Sequence, residues 1–234
     1  MTFSHILSHD DKTAWRSRDY VQRPRRIMRV ALDTSNELLR KTNQANNMTE
    51  LNTPPKIRVQ KGLVICYTGD GKGKTTAALG MAVRSVGYHL RTLIWQFIKG
   101  SWHYGELDGL KMLAPYVEVR QKGEGFVGIV DDKLPREVHR QAALDALEEV
   151  KGEITSGRWD IIILDEIFVA CQLGFLTGPD LVALINSKPE NVHLVLTGRG
   201  APADVIERAD LVTEMREVKH PYQKGDLAQK GIDY

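Results

Sequence analysis

The stretch TGDGKGKTT, residues 68–76, decides the fold of this chain. It follows the strand-like run 63–68 and precedes the helix-favouring residues 77–82. In such a loop, glycines let backbone N–H groups wrap phosphates, the helix N-terminus favours negative charge, and a lysine reaches the outer phosphates. A glycine-rich turn without a ligand is the alternative, but two lysines and two threonines at this spacing argue against it. The stretch predicts a nucleotide-triphosphate site.

The individual residues of this phosphate loop have distinct expected roles. Lys74 would neutralise phosphate charge, and Thr75 is placed to bind a magnesium ion. The loop departs from the strict G-x-x-x-x-G-K-[ST] pattern, because Thr68 stands where the first glycine is usual. The nucleotide-binding residues predicted in the loop are Gly69, Asp70, Gly71, Lys72, Gly73, Lys74, Thr75 and Thr76.

Two carboxylates follow a second apolar run. Residues 159–164 are mostly aliphatic and lead into Asp165 and Glu166, a pattern typical of a Walker B element. Because the carboxyl ends of parallel strands face the ligand crevice, we expect both carboxylates to lie near Thr75 and to complete the Mg²⁺ shell. The alternative is a solvated strand end.

A third strand-like run ends as TGRG, residues 197–200. It places Arg199 on a glycine-flanked loop at the same edge of the sheet. This guanidinium would neutralise charge on a triphosphate, although a surface arginine that serves only solubility remains the alternative.

The pattern from residue 57 onward predicts a doubly wound, mostly parallel α/β sheet with a P-loop, RecA-like core. Strand-like runs alternate there with helical patterns, the clearest of which spans residues 135–156. In that helix Val138, Ala142, Ala146, Val150 and Ile154 recur every four residues and predict one buried face. The predicted strands are residues 63–68, 92–97, 117–121, 160–164, 192–197 and 211–216.

Residues 1–56 form a separate N-terminal extension in this prediction, and residues 57–234 form the P-loop domain. Pro54 and Pro55 mark a linker between the two. The extension has few periodic apolar positions, so we expect it to be largely disordered, with a short helix over residues 28–40. Three other readings stay open: a segment that covers the substrate site, an organelle-targeting sequence, or a natural start at Met48.

The overall composition excludes several function classes. The 32 Lys and Arg nearly balance the 30 Asp and Glu, which argues against nucleic acid or an anionic membrane as the main partner. The sequence shows neither a signal-peptide run nor a membrane span, so we expect a cytoplasmic protein. Cys66 and Cys171 are interpreted as buried core thiols, and the seven histidines lack metal-ligand spacing.

Several motifs occur together in a fixed order. They are the phosphate loop, QFIKG at residues 96–100, LDE at 164–166, TGRG at 197–200 and QKGIDY at 229–234. Together they resemble the ATP:corrinoid adenosyltransferase family of cobalamin biosynthesis and salvage. The resemblance implies an alkyl-group transferase that moves the 5′-deoxyadenosyl group of ATP to the Co(I) centre of a corrinoid and releases triphosphate. It also implies Mg²⁺ or Mn²⁺, a homodimer, and a reductase or flavoprotein that supplies Co(I).

The same resemblance assigns roles to residues outside the phosphate loop. It places Arg84, Gln96 and Lys99 around the nucleotide or corrinoid, with Glu106 in the adjoining loop. Phe126 matches an aromatic residue that displaces the lower axial ligand of cobalt, and a packing role for it is the alternative. Relatives have a nearby tryptophan where this chain has Gly128. The expected catalytic residues are Lys74, Phe126 and Arg199.

Two other functions are compatible with the phosphate loop and the Walker B element. One is a P-loop ATPase or small-molecule kinase, and the other is a binding module that ATP switches. Products separate the enzymes, since a kinase or ATPase yields ADP and an adenosyltransferase yields triphosphate. Partner binding that does not depend on corrinoid would indicate the binding module.

Overall fold

The computed structural model of the protein describes residues 61–97, 104–121 and 135–233. The predicted N-terminal extension and its boundary at residue 56 lie outside these ranges. In chain order the described elements are β1 (Val64–Thr68), α1 (Lys74–Val86), β2 (Thr92–Gln96), α2 (Gly105–Lys111), β3 (Val117–Gln121), α3 (Arg136–Thr155), β4 (Ile161–Asp165), α4 (Ile167–Gln172), α5 (Gly178–Ser187), β5 (His193–Thr197), α6 (Ala203–Arg208), β6 (Leu211–Glu214) and a 3₁₀ helix (Pro221–Lys224).

The six strands form one parallel sheet in the order β3-β2-β4-β5-β1-β6. All six predicted strands are present, each within two residues of its predicted bounds. The doubly wound α/β fold is therefore confirmed. In this order β5 separates β1, which leads into the phosphate loop, from β4, which ends in the Walker B carboxylate. The carboxyl ends of these three strands meet at one edge of the sheet.

Helices cover both faces of the sheet. On one face Ile65, Ile94 and Ile163 of the strands pack with Ala78 and Ala82 of α1. On the other face, alternate strand residues pack against helices α3 to α6. Successive strand side chains point to opposite faces, so burial on both faces explains why the central strands β2, β4 and β5 carry runs of consecutive apolar residues.

The long helix α3 matches its predicted bounds and corrects part of its predicted buried face. Ala146, Val150 and Ile154 are buried, as the four-residue spacing predicts. At the start of the helix, however, Val138 is 42% exposed, whereas His139 is 5% exposed and its ring stacks on Phe175. The first turn therefore buries a neighbouring position, because Phe175 offers an aromatic surface there.

The two cysteines differ slightly from prediction. Cys66 is fully buried in β1, whereas Cys171 at the end of α4 is only partly buried. Burial raises the pKa of each thiol to about 12. A thiol with such a pKa carries little of the reactive thiolate form at neutral pH.

The longest described helix, α3, has 20 residues and carries charged side chains along its exposed face. Across residues 61–97, 104–121 and 135–233, no helix combines the length and apolar character that crossing a membrane requires.

Candidate nucleotide site

The loop between β1 and α1 has the backbone geometry of an anion-binding turn. Gly69 and Gly73 have φ angles of +92° and +114°, in the left-handed region that favours glycine. Gly73 caps α1, and the first turn of that helix contains no acidic residue. The first N–H groups of a helix have no partner within the helix, and the helix dipole adds positive potential there. The loop is therefore suited to bind phosphate.

The chain leaving β6 also shapes this loop. The Gly71 N–H donates a hydrogen bond to the Met215 carbonyl (2.6 Å), and the Met215 N–H donates to the Thr68 carbonyl (2.7 Å). A Cβ atom on Gly69 would lie 2.5 Å from the Met215 carbonyl oxygen, and one on Gly71 would lie 2.7 Å from the Arg216 carbonyl carbon. Both glycines are thus required by close packing against residues 215 and 216. This constraint joins residues far apart in sequence, so the motif alone does not indicate it.

Lys74 lies at the centre of the loop. Its side chain is largely buried, and Nζ donates hydrogen bonds to the carbonyls of Gly69 (2.6 Å) and Gly71 (2.8 Å). An ammonium group has three donors, so within residues 61–97, 104–121 and 135–233 one of them remains for a ligand. Burial lowers the pKa of Lys74, and the nearby Arg199 charge adds to this effect, whereas the negative charge of Glu166 opposes it.

The Walker B carboxylate binds two threonine hydroxyls. Asp165 ends β4 and is 1% exposed. Its Oδ1 accepts hydrogen bonds from Thr75 Oγ1 at 2.9 Å and from Thr197 Oγ1 at 2.7 Å. The structure therefore brings together the predicted metal residues Thr75 and Asp165, which are 90 positions apart in sequence.

Thr197, the first residue of TGRG, is a further candidate site residue, and its role does not follow from the motif. Its hydroxyl donates to Asp165 and also accepts the backbone N–H of Glu166 (2.9 Å). Thr197 ends β5, the strand between β1 and β4, and its side chain holds the end of β4. The signal that would have found it is the strand order, which the sequence pattern does not supply.

Glu166 and Arg199 extend the charged surroundings of Lys74. Glu166 has a φ of +60° at the start of α4, an uncommon angle for a residue with a side chain. Its charge and that of Arg199 both act on the pKa of Lys74, so both lie near the loop. Arg199 is exposed between two glycines. The charged groups predicted for phosphate and metal therefore lie at one edge of the sheet.

Gln96 lies deeper at the same edge. It ends β2, pairs in register with Asp165, and is 1% exposed. Its Oε1 accepts a hydrogen bond from Gln121 Nε2 (3.0 Å), and its own Nε2 is buried without a hydrogen-bond partner in the described part of the chain. Buried amide groups are nearly always hydrogen-bonded, so this amide nitrogen is suited to donate a hydrogen bond to a ligand.

Comparison with known proteins identifies relatives along most of the chain. The family described as ATP:corrinoid adenosyltransferase BtuR/CobO/CobP matches residues 60–234. The chain belongs to the ATP:corrinoid adenosyltransferase family. A corrinoid adenosyltransferase of Escherichia coli K12 is 37% identical over 176 residues, which cover 75% of this chain and 87% of that protein. Its counterparts from Salmonella typhimurium and Sinorhizobium are 35% and 38% identical, over 75% of this chain and 87% and 81% of theirs.

The residues that the family resemblance assigns outside the phosphate loop do not all lie near it. Arg84 is exposed in the last turn of α1, and ten residues of helix put it about 15 Å along the axis from Lys74. No described contact joins it to the phosphate loop. Glu106 is partly buried in the first turn of α2. Lys99, Phe126 and Gly128 lie outside the described residues, so their roles stay predictions, as does that of Arg84.

Two further residues of the phosphate loop, Asp70 and Thr76, are exposed near Lys74 and Thr75. The third exposed member, Lys72, forms an ion pair with Asp233 of the C-terminal QKGIDY motif. The structure places this motif against the phosphate loop.

Proposed function

We propose that this protein transfers the 5′-deoxyadenosyl group of ATP to the Co(I) centre of a corrinoid, with triphosphate as the leaving group. The observation that carries the proposal is the grouping of Lys74, Thr75, Asp165 and Thr197 at the carboxyl edge of the sheet, in a chain of the adenosyltransferase family. In the reaction, cobalt supplies the electron pair for the new Co–C bond. The bond from C5′ to the triphosphate oxygen breaks, and that oxygen keeps its electrons.

The protein's main task in this reaction is to stabilise negative charge on the leaving triphosphate. The N-terminus of α1 and the ammonium of Lys74 would contact the phosphates directly. Lys72 is exposed within the loop and Arg199 is exposed beside it, and both would add positive charge as the phosphates bind. Groups fixed in place before the reaction stabilise the transition state without reorganising. Lys74 is buried and held by two hydrogen bonds, so it would be the principal catalytic residue.

Magnesium is part of the proposal, and the side chains present fit it. Mg²⁺ binds oxygen ligands, and in nucleotide enzymes it uses one or two protein groups together with phosphates and water. Thr75 Oγ1 and Asp165 Oδ1 lie 2.9 Å apart and provide such oxygens. Glu166 follows Asp165 directly in sequence. Its carboxylate would either coordinate the ion or accept a hydrogen bond from water bound to the ion. Bound there, the ion would neutralise phosphate charge.

A protein base is not needed for this chemistry, because Co(I) brings its own electron pair. The protein must instead align the cobalt with C5′. Gln96 has a buried donor at the site edge and, with Lys99 and Phe126, would line the nucleotide or corrinoid pocket. We also propose a cytoplasmic homodimer that receives Co(I) from a reductase or flavoprotein, as the family resemblance implies.

A spectroscopic assay tests the proposed reaction. Reduced cobalamin mixed with the protein and MgATP should convert to an alkylated, light-sensitive product, with one triphosphate formed for each Co–C bond. Release of ADP without a change in the corrinoid spectrum would instead indicate a kinase or ATPase. ATP binding without either product would indicate a binding module.

The role of Phe126 has a separate test. Phe126→Ala should reduce adenosylation that starts from Co(II) more than adenosylation that starts from chemically supplied Co(I). The reason is that removal of the lower ligand matters for reducing cobalt and less for alkylating it. Phe126→Leu serves as the control for lost volume. Equal losses from both starting states would show that Phe126 is a packing residue.

A further inference from the structure

The C-terminal tail returns to the phosphate loop after leaving it. The chain departs from the loop at Met215, passes through the 3₁₀ helix Pro221–Lys224 and ends its described course at Asp233. There the Asp233 carboxylate pairs with the ammonium of Lys72, a residue 161 positions earlier. Lys72 is two residues before Lys74, so the tail contacts the loop at the proposed phosphate site.

The tail holds the Asp233 carboxylate in a fixed direction. Its Oδ2 accepts the Gln229 N–H (2.7 Å), and the Asp233 N–H donates to the Gln229 carbonyl (2.8 Å), so residues 229–233 form a closed turn. Oδ1 is then directed to Lys72. The Lys72 ammonium and the Gln229 N–H hold the pKa of Asp233 below its ordinary value. Asp233 is therefore charged at neutral pH and forms an ion pair with Lys72.

Apolar burial contributes little to the attachment of this tail. Its large apolar side chains point to solvent, so polar contacts such as the Lys72–Asp233 pair must hold it against the loop. The Lys72 side chain is half exposed and that of Asp233 is 19% exposed. An ion pair this close to solvent changes an equilibrium by only a few-fold, so it can exchange for a stronger anion. The exposed apolar side chains are Val218 (81%), Tyr222 (74%), Leu227 (80%) and Ile232 (76%).

A nucleotide triphosphate is such an anion. It would bring several negative charges to the loop that carries Lys72, and like charges close together repel. Asp233 and the phosphates would therefore both need to pair with the ammonium of Lys72, and their negative charges repel each other. We propose that Asp233 competes with the phosphates of ATP for Lys72, so that ATP binding releases the C-terminal tail from the phosphate loop. This inference rests on the proposed nucleotide site.

Binding measurements on the full chain test the competition. Asp233→Asn removes the competing charge and should lower the Kd for MgATP, and for inorganic tripolyphosphate, about threefold in calorimetric titrations. Lys72→Met should raise Kd. In the Lys72→Met background, Asp233→Asn should change nothing, because the contested ammonium is gone. Asp226→Asn is the matched control, since it removes the same charge from an exposed tail position and should leave Kd unchanged.

Proteolysis tests the release of the tail. Trypsin cleavage after Lys230 frees the peptide Gly231–Tyr234, which mass spectrometry can follow. MgATP should accelerate its release from the wild-type chain, whereas Asp233→Asn should release it quickly with or without nucleotide. Slower release with MgATP would overturn the proposal.

The outcomes separate this inference from the nucleotide site itself. If Asp233→Asn leaves Kd unchanged, or raises it only when Lys72 is present, Asp233 does not compete and the inference is wrong. In either case Lys74→Ala should still abolish ATP binding. If Lys74→Ala binds ATP normally, the proposed nucleotide site has failed instead.

Discussion

Two lysines in this structure make the same kind of contacts at opposite ends of the sheet. Lys74 donates to two loop carbonyls beyond the carboxyl end of β1, and Lys188 donates to the carbonyls of Gly62 (3.0 Å) and Pro189 (3.1 Å) near the amino end of β5. Burial lowers the pKa of both. Bonding pattern and pKa shift therefore do not distinguish the lysine proposed to bind phosphate from one that holds strand ends together.

The surroundings of the two lysines do distinguish them. At the amino end, two polar side chains each bond a backbone group at the start of β1: Asp210 accepts the Val64 N–H (2.8 Å), and His193 Nδ1 accepts the Leu63 N–H (3.1 Å). At the carboxyl end, side chains from separate elements bond to one another around Asp165. The first arrangement joins strands and completes the fold. The second concentrates oxygen and nitrogen groups at one point, as a ligand site requires.

The largest expected effect comes from exchanging the two lysines for methionine. Lys74→Met should lower kcat/KM for adenosylation at least about 100-fold, because it removes a fixed positive charge from the triphosphate. Lys188→Met should leave kcat/KM within about twofold. Both variants should lower the melting temperature by about the same few degrees. The measurements are the corrinoid spectrum and thermal unfolding by circular dichroism. Comparable activity in the two variants would remove the distinction between the ends of the sheet.

A pair of buried threonines gives the next largest effect. Thr197→Val deletes the hydroxyl that joins Asp165 to the Glu166 N–H, and it should lower kcat/KM about tenfold and stability by about 1–3 kcal/mol. Thr92→Val is the matched control at the amino end of β2, where the hydroxyl lies 3.0 Å from Ser85 Oγ. It should cost comparable stability in urea denaturation and leave activity intact. Equal activity losses would mean that Thr197 acts only through folding.

Much of this architecture could be predicted from local sequence. Strands β1 to β6 were located because each is a short apolar run next to a turn signal, and α3 because its apolar residues recur at helical spacing. Asp165 and Lys74 were found because their motifs place them at strand and helix ends. These are features of residues close together in the chain.

The residues that sequence analysis missed act through distant partners. Thr197 became a site residue because β5 lies between β1 and β4, and strand order is not written in any one segment. Met215 and Asp233 contact the loop 144 and 161 positions away from Gly71 and Lys72 respectively (215 − 71 and 233 − 72). His139 is buried in place of Val138 because its ring stacks on Phe175, which lies outside α3. Such contacts follow from packing and require the fold.

The smallest expected effect concerns Asp210, the amino-end counterpart of Asp165. The Val64 N–H and the charge of Lys61 hold the pKa of Asp210 below its ordinary value of 3.8. A carboxylate with a depressed pKa stabilises the folded state above its unfolded pKa, and this stabilisation disappears as pH falls through the folded pKa. Asp210→Asn should therefore lower the free energy of unfolding at pH 7 by about 0.5–1 kcal/mol, since the amide still accepts the Val64 N–H but carries no charge. Urea denaturation should show that difference at pH 7 and pH 5 and its loss below about pH 3.8, with kcat/KM at pH 7 unchanged. A difference that persists at low pH would assign the effect to shape rather than charge, and lost activity would place Asp210 with the functional edge of the sheet.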